Sequence, residues 1–476
     1  MDIVVTEEII ARQPPEAQAI IRALLAQIAR MQSRIAKLEA EVEELRRQVK
    51  GATPQNSSLP PSAQHPHAKP KPRVRKGKKR RGGQPGHTKH ERALIPTEEC
   101  NQVVSLKPTA CRRCGSKLSG SDVDPLRHQV WELPEIKPHV TEYQRHRLDC
   151  QCGATTCAAL PPGVPHGQSG PRLMAFTALL MAYYRQSKRR TAEFLETVLG
   201  QPCSAALTVK IQTKVTNAAR PAYEELAAAL PSQTHVNADE TATKEQNGKA
   251  WLWTFVAQYF TVFSIRGTRA ATAVDELLTE AFGGIVTCDR AKMYWRVGRV
   301  QWCWAHLKRD FQALIDRGDS QAKRLGYDLR RMTCKLFEHW GDYRHGRISR
   351  AAFVRRMTPV RREVERLLLR GIASNNKSFV GMCRELYDHR EWLWQFVGHE
   401  EVEPTNNAGE RALRHAVIWR KLSFGTQSAG GSRFVETMLT VIETCRQQRR
   451  NAFDYLTDAV QAHLNGHSAP SLLSGP

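Results

Sequence analysis

The amino-acid sequence predicts a multidomain α+β protein. An α/β core, interrupted by a helical insertion, follows an N-terminal coiled coil and a small zinc-ribbon-like domain. Three observations predict this: a strict heptad near the N-terminus, a set of paired cysteines, and two apolar strand-like segments, about fifty residues apart, that each end in Asp. The totals agree. A chain of 476 residues, 41% of them hydrophobic, has enough apolar material for two to four cored domains. Its net charge of +24 suits a polyanion, and nucleic acid is the usual one. No run of about 18 apolar residues exists to span a membrane. The acidic start "MDIVVTEEII" lacks the basic region of a signal peptide. Twelve cysteines in a chain of this length do not make a secreted disulfide framework. Cys203, Cys288, Cys334, Cys383 and Cys445 lie in apolar segments as core thiols do, so a reducing cytoplasm is expected.

Residues 1–50 form the coiled coil. Ile21, Ile28, Ile35, Val42 and Val49 occupy positions a, and Leu24, Met31, Leu38 and Leu45 positions d, the pattern of a parallel two-stranded coil. Arg34 faces Glu39, and Glu41 faces Arg46, across such a dimer. Residues 51–95 are a disordered basic arm; positions 51–90 hold seven Pro, ten Lys or Arg and no acid. Lys69, Arg73, Arg75, Lys76, Lys78, Lys79, Arg80 and Arg81 would lie along DNA phosphates. In residues 96–168, "CRRC" (Cys111, Cys114) has the knuckle form of a zinc site, and "DCQCGATTC" offers Cys150 and Cys152, or Cys157 in place of Cys150, as its complement. The intervening "HQVWELPEIKPHVTEYQRHRL" reads as strand. One structural Zn²⁺ is expected. Residues 169–232 read as helices, a DNA-binding or linker region.

The core spans 233–300 and resumes at 404–476, with the helical insertion at 301–403. "THVNADETA" is an apolar strand ending in Asp239 and Glu240; "GKAWLWTFVAQYFTVFSI" gives two more strands, "TRAATAVDELLTEAF" a helix, and "GGIVTCD" a strand ending in Asp289. In an RNase H-like fold the first and fourth strands are neighbours, so the two Asp residues meet at one edge. Adjacent carboxylates repel unless a divalent cation sits between them, and two Mg²⁺ ions so held catalyse phosphoryl transfer. A third acid, Glu410, lies in the first turns of a helix entered through Asn406 and Asn407, either able to cap it. Arg411, Arg414, Arg420 and Lys421 stand beside it, spaced for phosphates. The insertion opens with Cys303 and His306, a CxxH that is either a zinc half-site or, in the favoured reading, packing that ties the insertion to the site.

With "NSSLPPS", "GGQPGH", "ADET", "CDRAKMYW", "CWAHLKRDF", "NNAGERALR" and "RKLSFGTQSAGG" all present, the chain resembles transposases of the IS66 family of bacterial insertion sequences over nearly its whole length. The resemblance implies a DDE transposase with an RNase H-like core and Asp239, Asp289 and Glu410 as catalytic, Mg²⁺-binding residues, with Mn²⁺ as a substitute. It implies double-stranded DNA as partner, both terminal inverted repeats and target, and a homodimer or higher oligomer. Small companion proteins of the same element are further expected partners, and no membrane is expected. Tyr294 and Trp295 would stack on or brace DNA. Cys303 and His306 resemble the CxxH associated with the active site in several DDE groups. The Cys-x-Cys at Cys150 and Cys152 departs from the commoner CxxC. The rival readings are an RNase H-like nuclease or resolvase that cuts without joining, and a non-catalytic transposase-derived regulator.

Overall fold

The computed structural model describes residues 7–50, 53–54, 56–57 and 92–473. After a short helix α1 (Glu7–Ala11), the heptad segment is a single helix α2 (Pro15–Lys50). Its seam is uncovered: Leu24, Ile28, Met31, Ile35, Leu38 and Val42 are all exposed. Asn56, at the head of "NSSLPPS", is buried and donates to Asp316 at 2.8 Å.

The cysteine region is sparse in regular structure. A hairpin of β1 (Arg147–Asp149) and β2 (Thr155–Cys157) pairs Leu148 with Thr156. The strand expected over "HQVWELPEIKPHVTEYQRHRL" forms only at its last two residues. Val130, Leu133 and Val140 are exposed, so no apolar face is buried to offset the ordering of a longer strand.

Helices α3 (Pro171–Ala182), α4 (Lys188–Leu199) and α5 (Ala205–Ala228) start where sequence signals say they should. Pro171 fills the first position of α3, and the Ser187 and Ser204 hydroxyls accept the Arg190 and Leu207 N–H groups. These helices are more than a linker. Buried residues of α3 and α5, Met174 and Val215 among them, belong to one apolar cluster that also holds the sheet, the insertion and the C-terminal helices.

The sheet has five strands in the order β5–β4–β3–β6–β7. Strands β3 (His235–Glu245), β4 (Gly248–Val256) and β5 (Thr261–Arg266) form an antiparallel meander. Helix α6 (Ala271–Leu278) then crosses over, so that β6 (Ile285–Cys288) joins β3 in parallel and β7 (Val300–Trp302) joins β6 in parallel. Strand β7 escapes the sequence reading because three residues are too few for a periodic signal.

Six helices follow β7 in the insertion and the helix that re-enters the core: α7 (Trp304–Arg317), α8 (Ser320–Arg344), α9 (Arg350–Ala373), α10 (Val380–Asp388), α11 (Gln395–Gly398) and α12 (Asn407–Ser423). The insertion is anchored at its root by aromatic packing, with Trp304 5.0 Å from Trp394 and Trp302 5.2 Å from Trp392. After α12, Gly425 takes φ +103° against the Lys244 carbonyl, where a Cβ would lie 2.5 Å away. That close approach lets the Thr426 N–H bond the same carbonyl at 2.9 Å, docking "SFGTQ" on the β3–β4 turn.

Helices α13 (Ala429–Gln447) and α14 (Ala452–Leu464) complete the chain's described helices. One face of α13 is polar yet buried, because it seals the sheet edge. Along β5 the outward N–H groups of Thr261, Phe263 and Ile265 donate to Thr444 Oγ1 at 3.1 Å, Thr440 Oγ1 at 3.0 Å and Glu436 Oε1 at 2.6 Å. The spacing matches: two residues of strand rise about 6.6 Å and four of helix about 6 Å. An exposed edge that could pair with another chain is thereby satisfied internally. Thr440→Val, equal in shape, should cost about 1–3 kcal/mol in urea denaturation by orphaning the Phe263 N–H. The exposed Thr213→Val on α5 should change stability by less than about 0.5 kcal/mol.

Candidate functional site

Successive side chains on a strand point to opposite faces, and β3 uses this to separate its adjacent acids. Glu240 stands opposite Trp253, whose ring meets the Tyr294 ring edge-on at 6.1 Å. On that face its side chain is only 3% exposed and both oxygens are engaged. Oε1 accepts from Arg269 Nε and Nη2 at 2.9 and 2.6 Å, and Oε2 accepts the Tyr294 hydroxyl at 2.6 Å. Asp239 stands opposite Thr254, on the face where Leu252 packs on Ala412, Leu413 and Ala416 of α12. Asp239 Oδ1 accepts only the neighbouring Glu240 N–H among the described residues, at 3.0 Å.

The parallel register pairs His235, Val236 and Asn237 with Ile285, Val286 and Thr287. Continued by two residues, it sets Asp289 level with Asp239. Asp289 Oδ1 accepts the Ala291 N–H at 2.8 Å, which turns the chain off the strand. Cys303 leaves β7 at the same end, its N–H bonded to the Cys288 carbonyl at 2.9 Å.

Glu410 enters in the first turn of α12, and Asn406 fixes that helix. Asn406 occupies the cap position, but its side chain does not cap. Its Nδ2 donates to the Ala238 carbonyl at 2.7 Å, and its N–H donates to Cys303 Sγ at 3.2 Å. One buried residue thus ties together the strand before Asp239, the CxxH and the Glu410 helix. Gly409 makes room for it, since a Cβ there would lie 2.9 Å from Asn406 Oδ1. Sequence reasoning saw a capping residue here; the signal available was only the double Asn before an acid.

The electrostatics follow from these placements. Burial first, then Glu240, Asp289 and Glu410, push the Asp239 carboxyl well above the usual carboxylate range. Burial and then Asp289 raise Glu240, against the pull of Tyr294 and Arg269. Burial lowers His306, helped by Arg309. Asp310, one turn beyond His306, is raised by burial, and Arg290 lies 3.6 Å from it and 3.7 Å from Glu385.

Glu410 leans to one side of this group. Its Oε1 is 3.7 Å from His306 Nδ1 and 3.8 Å from Arg309 Nη2. Among the described residues, the set of three whose ligand atoms all approach within 4.8 Å is Cys303, His306 and Glu410. Asp239, Asp289 and Glu410 are within one another's field without forming so tight a set.

The other expected residues fare unevenly. Cys111 and Cys114 share one turn, closed by Gly115 N–H to the Cys111 carbonyl, and Cys150 and Cys152 share another, closed by Gly153 N–H to Cys150. Ser116 and Cys111 draw the Cys114 thiol down to about 7. The two pairs are not drawn into one four-sulfur cluster. Arg411, Arg414 and Lys421 are exposed, but Arg420 turns inward to Thr241 Oγ1 at 2.9 Å and to the Ala242 carbonyl, bracing α12 on β3. Lys69, Arg73, Arg75, Lys76, Lys78, Lys79, Arg80 and Arg81 lie outside the described residues. Tyr294 is fully buried and cannot stack on DNA, and Trp295 packs 4.7 Å from His389 beside Trp302. Tyr294 is a correction, since an aromatic beside an acid reads equally as a base platform or as core; Trp295 stays half-buried.

Comparison with known proteins bears on this geometry. A family model described as "Transposase IS66 family" matches residues 166–433, more than half of the chain, and one for a family of unknown function matches residues 8–93. An uncharacterized protein of Sinorhizobium fredii, y4hP, is 23% identical over 420 residues, covering 79% of this chain and 74% of that protein. A second from that organism, y4qI, is 24% identical over 249 residues, covering 47% of this chain and 46% of that protein. The chain therefore aligns with less than half of y4qI.

Repulsion within the carboxylates sets a stability prediction. A carboxyl whose folded pKa is raised contributes stability that is complete below its unfolded pKa and lost as pH rises through the folded value. At pH 7 Asp239 therefore costs stability. Asp239→Asn should melt higher than the unchanged protein at pH 7 in chelator, and the difference should vanish towards pH 3. Equal melting temperatures at pH 7 would contradict the placement of Asp239 among its acidic neighbours.

Proposed function

Because the chain belongs to the IS66 transposase family, we propose that it acts as the transposase of an insertion sequence through a DDE mechanism. The supporting observation is the level register of Asp239 and Asp289 on neighbouring parallel strands, with the Glu410 helix packed on the Asp239 face. A meander of three strands followed by two parallel ones, in the order β5–β4–β3–β6–β7, is the order expected of an RNase H-like core.

The donor set fits a hard cation. Carboxylate oxygens are what Mg²⁺ and Mn²⁺ take, and the acids that raise Asp239 are those a dication between them would relieve. Asp239, Asp289 and Glu410 would hold the ions, which when bound supply Lewis acidity and charge neutralisation at a phosphodiester. The chain's own residues do the rest. Strand β3 runs on past the expected end at Asp239 and Glu240 to Glu245, because its second half pairs with β4. Asp239 is therefore mid-strand and Asp289 lies just past β6. Arg269 and Tyr294 hold Glu240 on the far face, away from the two Asp carboxylates. Arg411, Arg414 and Lys421, exposed along α12, would bind backbone phosphates and orient the DNA. Water then hydrolyses the phosphodiester at the element's end to leave a 3′-hydroxyl and a 5′-phosphate. That hydroxyl attacks a target phosphodiester, forming a new P–O bond as the target's own 3′-hydroxyl leaves. No covalent protein–DNA intermediate is needed. The arm at 51–95 would add sequence-independent affinity, and one Zn²⁺ between the Cys111–Cys114 and Cys150–Cys152 turns would order residues 96–168. No helix among the described residues is long and apolar enough to cross a membrane, and the proposed place of action is the bacterial cytoplasm, at the nucleoid.

The test is a supercoiled plasmid carrying both element ends, incubated with protein and Mg²⁺, with and without the element's companion proteins. Cleavage at the repeat boundary and joined products are expected, with a loss of more than about 10³-fold in Asp289→Asn, the scale on which a catalytic group fails. Cleavage without joining would make the protein a nuclease instead, and DNA binding without cleavage under every condition would make it a regulator.

The exposed seam of α2 supports a dimer. Leu38→Lys should halve the mass found by light scattering, leaving the melting temperature of the remaining core unchanged.

A further inference from the structure

We propose that Cys303, His306 and Glu410 form a second cation site, specific for a borderline-soft divalent ion of the Zn²⁺ type, whose occupancy withdraws Glu410 from Asp239 and Asp289. The second half of this statement rests on the function proposed above; the site itself does not.

Two helix starts converge to make it. Cys303 sits at the N-cap of α7, 1% exposed, with His306 one turn on, and Asn406 carries the head of α12 against the cysteine. His306 Nδ1 and Glu410 Oε1 are buried atoms that face each other at 3.7 Å, and neither has a hydrogen-bond partner among the described residues. That separation is too long for a hydrogen bond. It is close to the roughly 3.4 Å expected between nitrogen and oxygen ligands at about 2.0–2.2 Å from one tetrahedral Zn²⁺. Cys303 Sγ completes a triangle with all edges within 4.8 Å.

The donor set decides the ion. Sulfur, imidazole and carboxylate suit Zn²⁺ or Co²⁺, whereas Mg²⁺ takes oxygen and keeps its waters. Three protein ligands leave a fourth position open to water. The Asn406 N–H already points at Sγ at 3.2 Å and would remain as a hydrogen bond to the thiolate. Arg309 Nη2, 3.8 Å from the same Glu410 oxygen, would swing out. On binding, the Cys303 thiol proton leaves to solvent. Holding Glu410 Oε1 on this side draws the carboxylate away from the Asp pair, so a soft ion would compete with the hard-ion site through a shared ligand.

The experiment is a Co²⁺ titration of metal-stripped full-length protein, followed by thiolate-to-Co²⁺ charge-transfer absorption. It is made in a background with Cys111, Cys114, Cys150 and Cys152 changed to Ser, to silence those thiols. One equivalent should bind with a charge-transfer band. Cys303→Ser should lose the band, and Glu410→Gln should weaken binding at least about 10-fold, the lower end of what even an outer-shell partner costs. Should Cys303→Ser misfold by circular dichroism, His306→Asn serves in its place and should likewise weaken binding at least about 10-fold. In the unchanged protein, rising Zn²⁺ at fixed Mg²⁺ should inhibit DNA-end cleavage. An unchanged band without Cys303, or unchanged affinity in Glu410→Gln, overturns the proposal. Absence of cleavage in any metal overturns the transposase reading, and leaves the Co²⁺ result to decide the site.

Discussion

Burial and neighbouring acids make Asp239 and Glu240 costly to ionise, with Asp289 beside both and Glu410 beside Asp239, and the architecture around them is organised by that repulsion. Buried like charges are tolerated only when each is neutralised, hydrogen-bonded or bridged. The protein uses a different remedy on each face of the sheet. On one, Arg269 and Tyr294 take both Glu240 oxygens in a closed arrangement. On the other, the acids keep few partners, a stored instability of the kind that functional sites carry.

That division explains why the surrounding structure is so tightly bound. A strained carboxylate cluster would relax by separating its strands or lifting its helix. Strand β3 is therefore central in its sheet, paired on both sides, and the edge at β5 is closed by α13 rather than left open. Helix α12 is fastened at both ends, by Asn406 to the Ala238 carbonyl and by Arg420 to Thr241. The insertion shares its apolar cluster with the sheet, so it too is part of the frame that holds the acids in place.

Much of this was legible in the residues. Strand β6 ends at Cys288, where the apolar run meets Asp289, because Gly-Gly before it and an acid after it bound the run sharply. The heptad forecast α2, since its period is long and uninterrupted. What failed to show was whatever depends on contacts across the chain. Nothing local distinguishes Glu240 from Asp239; only strand parity and the distant Arg269 and Tyr294 assign them to different faces. Arg420 read as a phosphate ligand because its neighbours do, yet it turns inward to the β3 backbone. The β-prone residues between the cysteine pairs suggested a sheet, but strand propensity without a face to bury does not make one.

Asn406 shows why single-residue readings of such a site fall short. It follows the insertion and bonds to Cys303 at the insertion's start and to Ala238 in the first half of the core. Its side chain therefore joins segments that are distant in sequence, and the geometry of Glu410 depends on all of them at once. Any shift of the insertion's root is passed to α12 through that one residue, whose bonds have no slack to absorb it: Gly409 already lacks a Cβ because Asn406 fills the space. The helical insertion is thus mechanically coupled to the acids although it contributes none of them, and its CxxH lies at the point of coupling.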